Sequence, residues 1–150
     1  MPLKSTNSTE KLILVVEDSN EDFETFNRIM KSLELNYTIY RACNGEEALE
    51  YLYDSTLGAN KKKSTRPSLI LMDLNLPGTD GRDVIQQIKQ NDILKTIPII
   101  VMTTSDSPQD IQNCYYNGAN SYIIKPMGVE RFKKLIQSLF YYWFNCNILP

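Results

Sequence analysis

Five short apolar runs, each stopping at polar residues and each followed by a helical pattern, constrain this chain more than anything else in it. Residues 12–16 (LILVV) are apolar without a break, as a strand buried on both faces must be. Similar runs fall at residues 37–42, 68–72, 97–102 and 121–124. Between them the spacing becomes helical. Ser19 and Asn20, followed by Glu21 and Asp22, make a capped, acid-rich helix start, and Phe23, Phe26, Ile29, Met30 and Leu33 recur behind it. Asn44-Gly45-Glu46-Glu47 opens a second helix carrying Ala48, Leu49 and Leu52. Pro77-Gly78 turns the chain, and Asp80 caps a third helix with Val84, Ile85 and Ile88 inward. Ser107-Pro108 starts a fourth, which stops at Asn117-Gly118, and residues 129–144 form the last. Strand and helix alternating five times demand a parallel sheet with right-handed crossovers and helices on both faces.

A chain of 150 residues accommodates one such domain and no second catalytic or DNA-binding one. The expected division is a flexible arm over residues 1–11, the domain over 12–144 and a tail over 145–150. Residues 54–67, with Lys61, Lys62 and Lys63, read as a long solvated loop. A formal net charge of −2 gives no basic footprint for nucleic acid. No histidine is present, which removes Ser-His and Cys-His catalysis and argues against zinc. Cys43, Cys114 and Cys146 are odd in number and far apart, and read as small buried hydrophobes in a reducing compartment. Neither a secretory signal nor a membrane-length apolar run is present, so a cytoplasmic protein is expected.

The polar residues at the strand ends carry the chemistry. Glu17-Asp18 follow the first strand, Asp73 ends the third, Thr103-Thr104 follow the fourth and Lys125-Pro126 the fifth. In an open α/β sheet the ligand crevice lies beyond the carboxyl ends of the strands, where the strand order reverses. With order 2-1-3-4-5 these groups converge there. Three carboxylates against one ammonium leave an excess of two negative charges, which one Mg²⁺ cancels through hard oxygen ligands. Asp73 can then act as a carboxylate nucleophile toward phosphorus, with Lys125 stabilising phosphoryl charge and the Thr103 hydroxyl bonding a phosphoryl oxygen. Each residue taken alone has a plainer reading, as a cap, a turn or a strand end; the joint placement is the argument.

The motifs ILVVEDS, LILMDLNLPGTDG, IPIIVMTTSD and YIIKP, spread over residues 11–140, resemble the response-regulator receiver family of two-component signalling. The resemblance implies a flavodoxin-like doubly wound five-stranded parallel sheet in a single domain. It implies a stand-alone phosphoacceptor rather than an enzyme of turnover, with Asp73 taking a phosphoryl group from a histidine of a sensor kinase. By the same match Glu17 and Asp18 are the acid pair for Mg²⁺ and the backbone carbonyl of Asn75 a further ligand. Lys125 meets the phosphoryl group, presented by a cis peptide before Pro126. Thr103 and Tyr122 form the switch that reorients on activation. The long loop, MTTSDSPQDI and the aromatic end closing on Leu149-Pro150 resemble, more narrowly, the small regulators that partner cyanobacterial phytochromes. Met127-Gly128 and YYWFNCNILP depart from that pattern and bear on the partner.

Two other chemistries compete for the same pattern. A haloacid-dehalogenase-type phosphatase would need a second Asp where Asn75 stands. A flavodoxin would need a Gly- and hydroxyl-rich phosphate loop where Glu17-Asp18-Ser19-Asn20 stands. The C-terminal run Leu139-Phe140-Tyr141-Tyr142-Trp143-Phe144 poses a separate question. Six successive apolar residues cover every side of a helix, and a sheet buries one stripe. Either Phe140, Tyr141, Trp143 and Phe144 meet a second copy in a homodimer, or the chain leaves helical form near Tyr142 and folds over its own domain.

Overall fold

The computed structural model describes residues 11–58, 60–61 and 64–150. Strands β1 (Leu12–Val16), β2 (Thr38–Ala42), β3 (Leu69–Met72), β4 (Ile99–Thr103) and β5 (Ser121–Ile124) alternate with helices α1 (Asn20–Ser32), α2 (Gly45–Ser55), α3 (Gly81–Gln90), α4 (Pro108–Tyr116) and α5 (Val129–Tyr141). Every strand pair is parallel and the order is β2-β1-β3-β4-β5, the flavodoxin-like arrangement expected.

The two-residue period of the strands divides the core into two layers. Leu12, Leu14, Val16, Ile70, Met72, Ile99 and Val101 face α2, α3 and Cys114 of α4. Ile13, Val15, Leu69, Leu71, Ile100 and Met102 face Phe26, Ile29 and Met30 of α1 and Ile136, Leu139 and Phe140 of α5. Strand and helix limits move by a residue or so from those expected. β2 is only partly buried because it is an edge strand, bonded on one side by β1.

Local chemistry starts the helices where the sequence placed them. Ser19 accepts the Asp22 N–H at 3.2 Å. Asn44 accepts the Glu47 N–H at 2.8 Å while the Glu47 carboxylate takes the Cys43 N–H at 2.8 Å, a reciprocal pair. Asp80 accepts the Arg82 N–H at 2.9 Å. Gly81 follows because no side chain fits there: a Cβ would stand 2.7 Å from the Asp73 carbonyl oxygen.

Several expectations need correction. Of the cysteines only Cys114 is buried; Cys43 is half-buried and Cys146 exposed, since neither sits on an inward face. The last helix does not run to 144: α5 ends at Tyr141 and Tyr142–Cys146 form a π-helical turn, closed by Asn147 N–H donating to the Tyr142 carbonyl at 2.7 Å. That turn brings Phe144 over Tyr37 at 4.5 Å, beside Phe140, whose ring lies 5.4 Å from Tyr37. Phe140 is 1% exposed and part of the core, which removes it from any surface patch. The expected flexible arm lies outside the described residues except for Lys11, as do Lys62 and Lys63. Among the described residues no helix is long and apolar enough to cross a membrane.

Candidate functional site

β1 lies between β2 and β3, so the chain leaves β1 toward one side of the sheet and β3 toward the other, and a crevice opens at their carboxyl ends. Backbone pairing sets the side chains around it. Asp73 N–H donates to the Val16 carbonyl at 3.1 Å, Glu17 N–H to Ala42 at 3.0 Å and Lys125 N–H to Thr103 at 2.7 Å. Residues just past β1, β3 and β5 are thereby held at one edge of the sheet.

Glu17, Asp18 and Asp73 each offer a carboxylate oxygen within 4.8 Å of the others. Glu17 is buried, Asp73 half-buried and Asp18 exposed to solvent. Lys125 reaches into this group, its Nζ 2.7 Å from Glu17 Oε1, 3.6 Å from Asp73 Oδ2 and 3.5 Å from Asp22 Oδ2. The opposite Asp73 oxygen, Oδ1, accepts the Asn75 N–H at 3.3 Å. Burial pushes the Glu17 carboxyl above its ordinary range; Lys125 opposes that rise and Asp73 adds to it. Burial also works against the Lys125 ammonium, yet the Glu17 hydrogen bond and the charges of Asp73, Glu17 and Asp22 more than offset it and raise its pKa. The Glu17 shift thus comes chiefly from burial, and the Lys125 shift from the carboxylates gathered around its ammonium.

All described peptide bonds are trans, Lys125–Pro126 included, against the cis bond the resemblance implied. Trans is the ordinary preference, and from it Lys125 already meets Glu17. Thr103 is fully buried, and its Oγ1 accepts the Ser105 N–H at 3.4 Å, while the neighbouring Thr104 lines the crevice. The Tyr122 hydroxyl donates to the Ser105 carbonyl at 2.8 Å, and burial raises its pKa. The crevice is a cleft of about 310 Å³ that takes in Glu17, Asp22, Asp73 and Lys125 and reaches between α1 and the β5–α5 loop along Phe23, Phe26, Met102, Met127 and Phe132.

Two contributors carry no sequence signal that ties them to the site. Asp22 reads as a helix-start charge; it sits in the first turn of α1, its carboxylate beside the Lys125 ammonium. Arg41 donates from Nε to the Glu17 carbonyl at 3.0 Å and from Nη1 to Asn20 Oδ1 at 2.8 Å, with its guanidinium 4.8 Å over the Phe23 ring. It straps the β1–α1 loop in place from the edge strand, and no local pattern announces that contact.

The donor set suits a small divalent cation: three hard oxygens, two of them from the buried Glu17 and the half-buried Asp73, with Lys125 as the cation beside them.

Sheet order and crevice together define a flavodoxin-like α/β domain with an acid centre at its switch point. The chain belongs to the response regulator receiver domain family, whose pattern residues 13–137 match. Its relatives include the response regulator Rcp1 of Synechocystis, 33% identical over 99% of each chain. Another is the probable methanogenesis regulatory protein FilR2 of Methanothrix harundinacea, 36% identical over 93% of this chain and 87% of that protein. Among solved structures, the phosphorylated cyanobacterial phytochrome response regulator RcpA superposes with a TM-score of 0.85 at 32% identity, covering 94% of this chain and 99% of that one. Rcp1 in its Mn²⁺-bound form superposes with a TM-score of 0.82 at 35% identity, covering 93% and 99%. The chain is thus a receiver domain of two-component signalling, a phosphoacceptor that acts through protein contacts rather than an enzyme of the usual kind. The family pairs such domains with sensor kinases and, as in Rcp1, with a divalent metal.

Proposed function

We propose that Asp73 is the phosphoacceptor, that Mg²⁺ is the ion held by Glu17, Asp18, Asp73 and the Asn75 carbonyl, and that the donor is a phytochrome-type histidine kinase. One observation carries this reading: the strand-3 carboxylate lies within reach of both the acid pair and the Lys125 ammonium. A carboxylate oxygen of Asp73 attacks phosphorus, and the bond from phosphorus to the donor's histidine nitrogen breaks. The electron pair stays on that nitrogen, which takes up a proton, and an acyl phosphate remains on Asp73. Lys125 then holds phosphoryl charge that its carboxylate partners no longer monopolise, and the Thr103 hydroxyl bonds a phosphoryl oxygen. Bound Mg²⁺ would neutralise the carboxylates and the incoming oxygens. Hydrolysis reverses the state when water attacks phosphorus and frees the Asp73 carboxylate with inorganic phosphate.

Thr103 and Tyr122 form the switch in this reading, both already joined to Ser105. The photoreceptor assignment rests on likeness to Rcp1 and to the phytochrome regulator RcpA over nearly the whole chain. Radiolabelled acetyl phosphate with Mg²⁺ should label the protein, and Asp73→Asn should remove the label while leaving the fold unchanged. A fully labelled Asp73→Asn variant sinks the assignment. Phosphotransfer from a phytochrome kinase that is no faster than from unrelated kinases sinks the photoreceptor partner.

A homodimer through the end of α5 belongs to the same proposal. Tyr141 and Tyr142 are 63% and 53% exposed, with Trp143 and Phe144 half-buried beside them. Tyr141, Trp143 and the outer edge of Phe144 would carry the contact, with Phe140 supporting it from beneath. Sedimentation of wild type against Tyr141→Ser with Trp143→Ser tests it; a wild type monomeric at high micromolar concentration in both phosphorylation states overturns it.

A further inference from the structure

The switch residues close on a loop that something else holds. Tyr122 donates to the Ser105 carbonyl, and the Ser105 N–H donates to Thr103, so both switch side chains end on one residue of the β4–α4 loop. Ser105 has a third contact: its hydroxyl donates to Asp110 Oδ2 at 2.6 Å, in the first turn of α4. Asp110 Oδ1 in turn pairs with Nη2 of Arg82, which comes from α3. The other terminal nitrogen of Arg82, Nη1, is 2.8 Å from Asp80 Oδ1.

The pair is partly sheltered, each side chain being 24% exposed. The Ser105 hydroxyl first and the Arg82 guanidinium second hold the Asp110 carboxyl below the ordinary aspartate range. A charged, two-sided contact of this kind joins α3 to a loop that backbone pairing alone leaves free. The Arg82 side chain makes its hydrogen bonds and ion pairs with Asp80 and Asp110, away from Glu17, Asp18, Asp73 and Lys125.

We propose that Arg82 is a positioning residue of the switch: acting through Asp110 and Ser105, it holds the β4–α4 loop in the arrangement on which Thr103 and Tyr122 both close. In that arrangement Thr103 Oγ1 accepts the Ser105 N–H, and its own proton is directed elsewhere, available to a phosphoryl oxygen on Asp73. Cutting the pair depopulates the arrangement and slows phosphoryl uptake without touching the metal ligands. This proposal rests on the reading of Asp73 as phosphoacceptor, but its first test does not.

The test uses the full chain as wild type, Arg82→Met, Asp110→Asn and the double variant, each checked for cooperative thermal unfolding. Amide NMR of the unphosphorylated proteins reads the Ser105 N–H, and labelled tyrosine reads Tyr122. Both signals should move in the same direction in either single variant, and the double variant should add little to them. Uptake from acetyl phosphate should slow by about five- to tenfold, the low end of coupling between sites, at unchanged Mn²⁺ affinity. Arg82→Lys, which keeps the charge, should recover part of the rate. Unchanged Ser105 and Tyr122 signals in both single variants overturn the proposal. So does a rate loss matched by an equal loss of Mn²⁺ affinity. If the wild type takes no label at all, the function proposed above fails, and the NMR signals alone still decide whether Arg82 sets the loop.

Discussion

The crevice at the strand ends and the aromatic end of α5 are opposite cases of how residues acquire roles. In the crevice a few charged groups meet, and each has one arrangement that satisfies it: Lys125 at 2.7 Å from Glu17, Asp73 beside them, Asn75 closing on Asp73. At the end of α5 six apolar residues stand in a row, chemically near-equivalent, and they divide into Phe140 in the core and Tyr141 at 63% exposure. A charge removed from water must find its partner, whereas an apolar ring packs against whatever surface its backbone presents. Identity therefore says much about the first region and little about the second.

The sharpest test of the contrast lies in the aromatic end. Phe140→Ala should cost about 3–5 kcal/mol in urea unfolding, because it empties a site between Phe26 and Tyr37. Tyr141→Ala, one residue along, should stay within about 0.5 kcal/mol. Equal costs would mean that the helix phase is not as described.

In the crevice the order reverses, with function at stake rather than stability. If Asp18 holds the metal as proposed, Asp18→Ala should raise the Mn²⁺ dissociation constant by about a hundredfold, since a direct ligand matters at least as much as the groups behind it. Its unfolding midpoint should scarcely move, because the residue is exposed. Metal titration followed by a denaturant curve on the same sample separates the two.

Phe144→Ala probes the boundary between the regions. The ring stacks on Tyr37 at 4.5 Å and on Phe140 at 5.6 Å with the Lys11 ammonium 5.5 Å from its centroid, yet it is only half-buried. A loss of roughly 1–2 kcal/mol is expected, between the extremes above. A value near zero would show the π-helical turn to be unsupported by its packing.

The smallest effect is a dependence on pH. The Asp110 carboxyl is held down by Ser105 and Arg82, so the folded protein binds fewer protons there than the unfolded chain does. Its contribution to stability is complete above the ordinary aspartate value, about 3.9, and is lost as pH falls through the lower folded value. Asp110→Asn should flatten that part of the acid limb of a stability–pH profile. An acid limb identical to wild type would remove the Arg82 contact from the folded state in solution.

Much of the fold was legible because backbone and burial leave few choices. An unbroken apolar strand such as β1 must be covered on both faces, and Ser19, Asn44, Asp80 and Ser107 all cap the helices that their chemistry suits. The crevice acids were legible for the same reason: polar residues ending buried strands fall at one edge of the sheet. Arg41, Asp22 and the Arg82–Asp110 contact were not, because each joins elements distant in sequence and carries no local pattern.

The sequence by itself determined the alternation of elements, the parallel sheet and the placing of Glu17, Asp18, Asp73 and Lys125 at strand ends, which follow from periodicity and handed crossovers. The order 2-1-3-4-5 that makes those ends converge is what the family resemblance implied, and the structure has it. Only the tertiary structure decided that α5 gives way at Tyr142 to a π-helical turn that turns Phe144 back over Tyr37. Only it decided that Lys125 meets Glu17 across a trans bond, and that Arg82 reaches Ser105 through Asp110. Those outcomes depend on the distance and angle between packed elements, quantities that emerge once every side chain has competed for the same space.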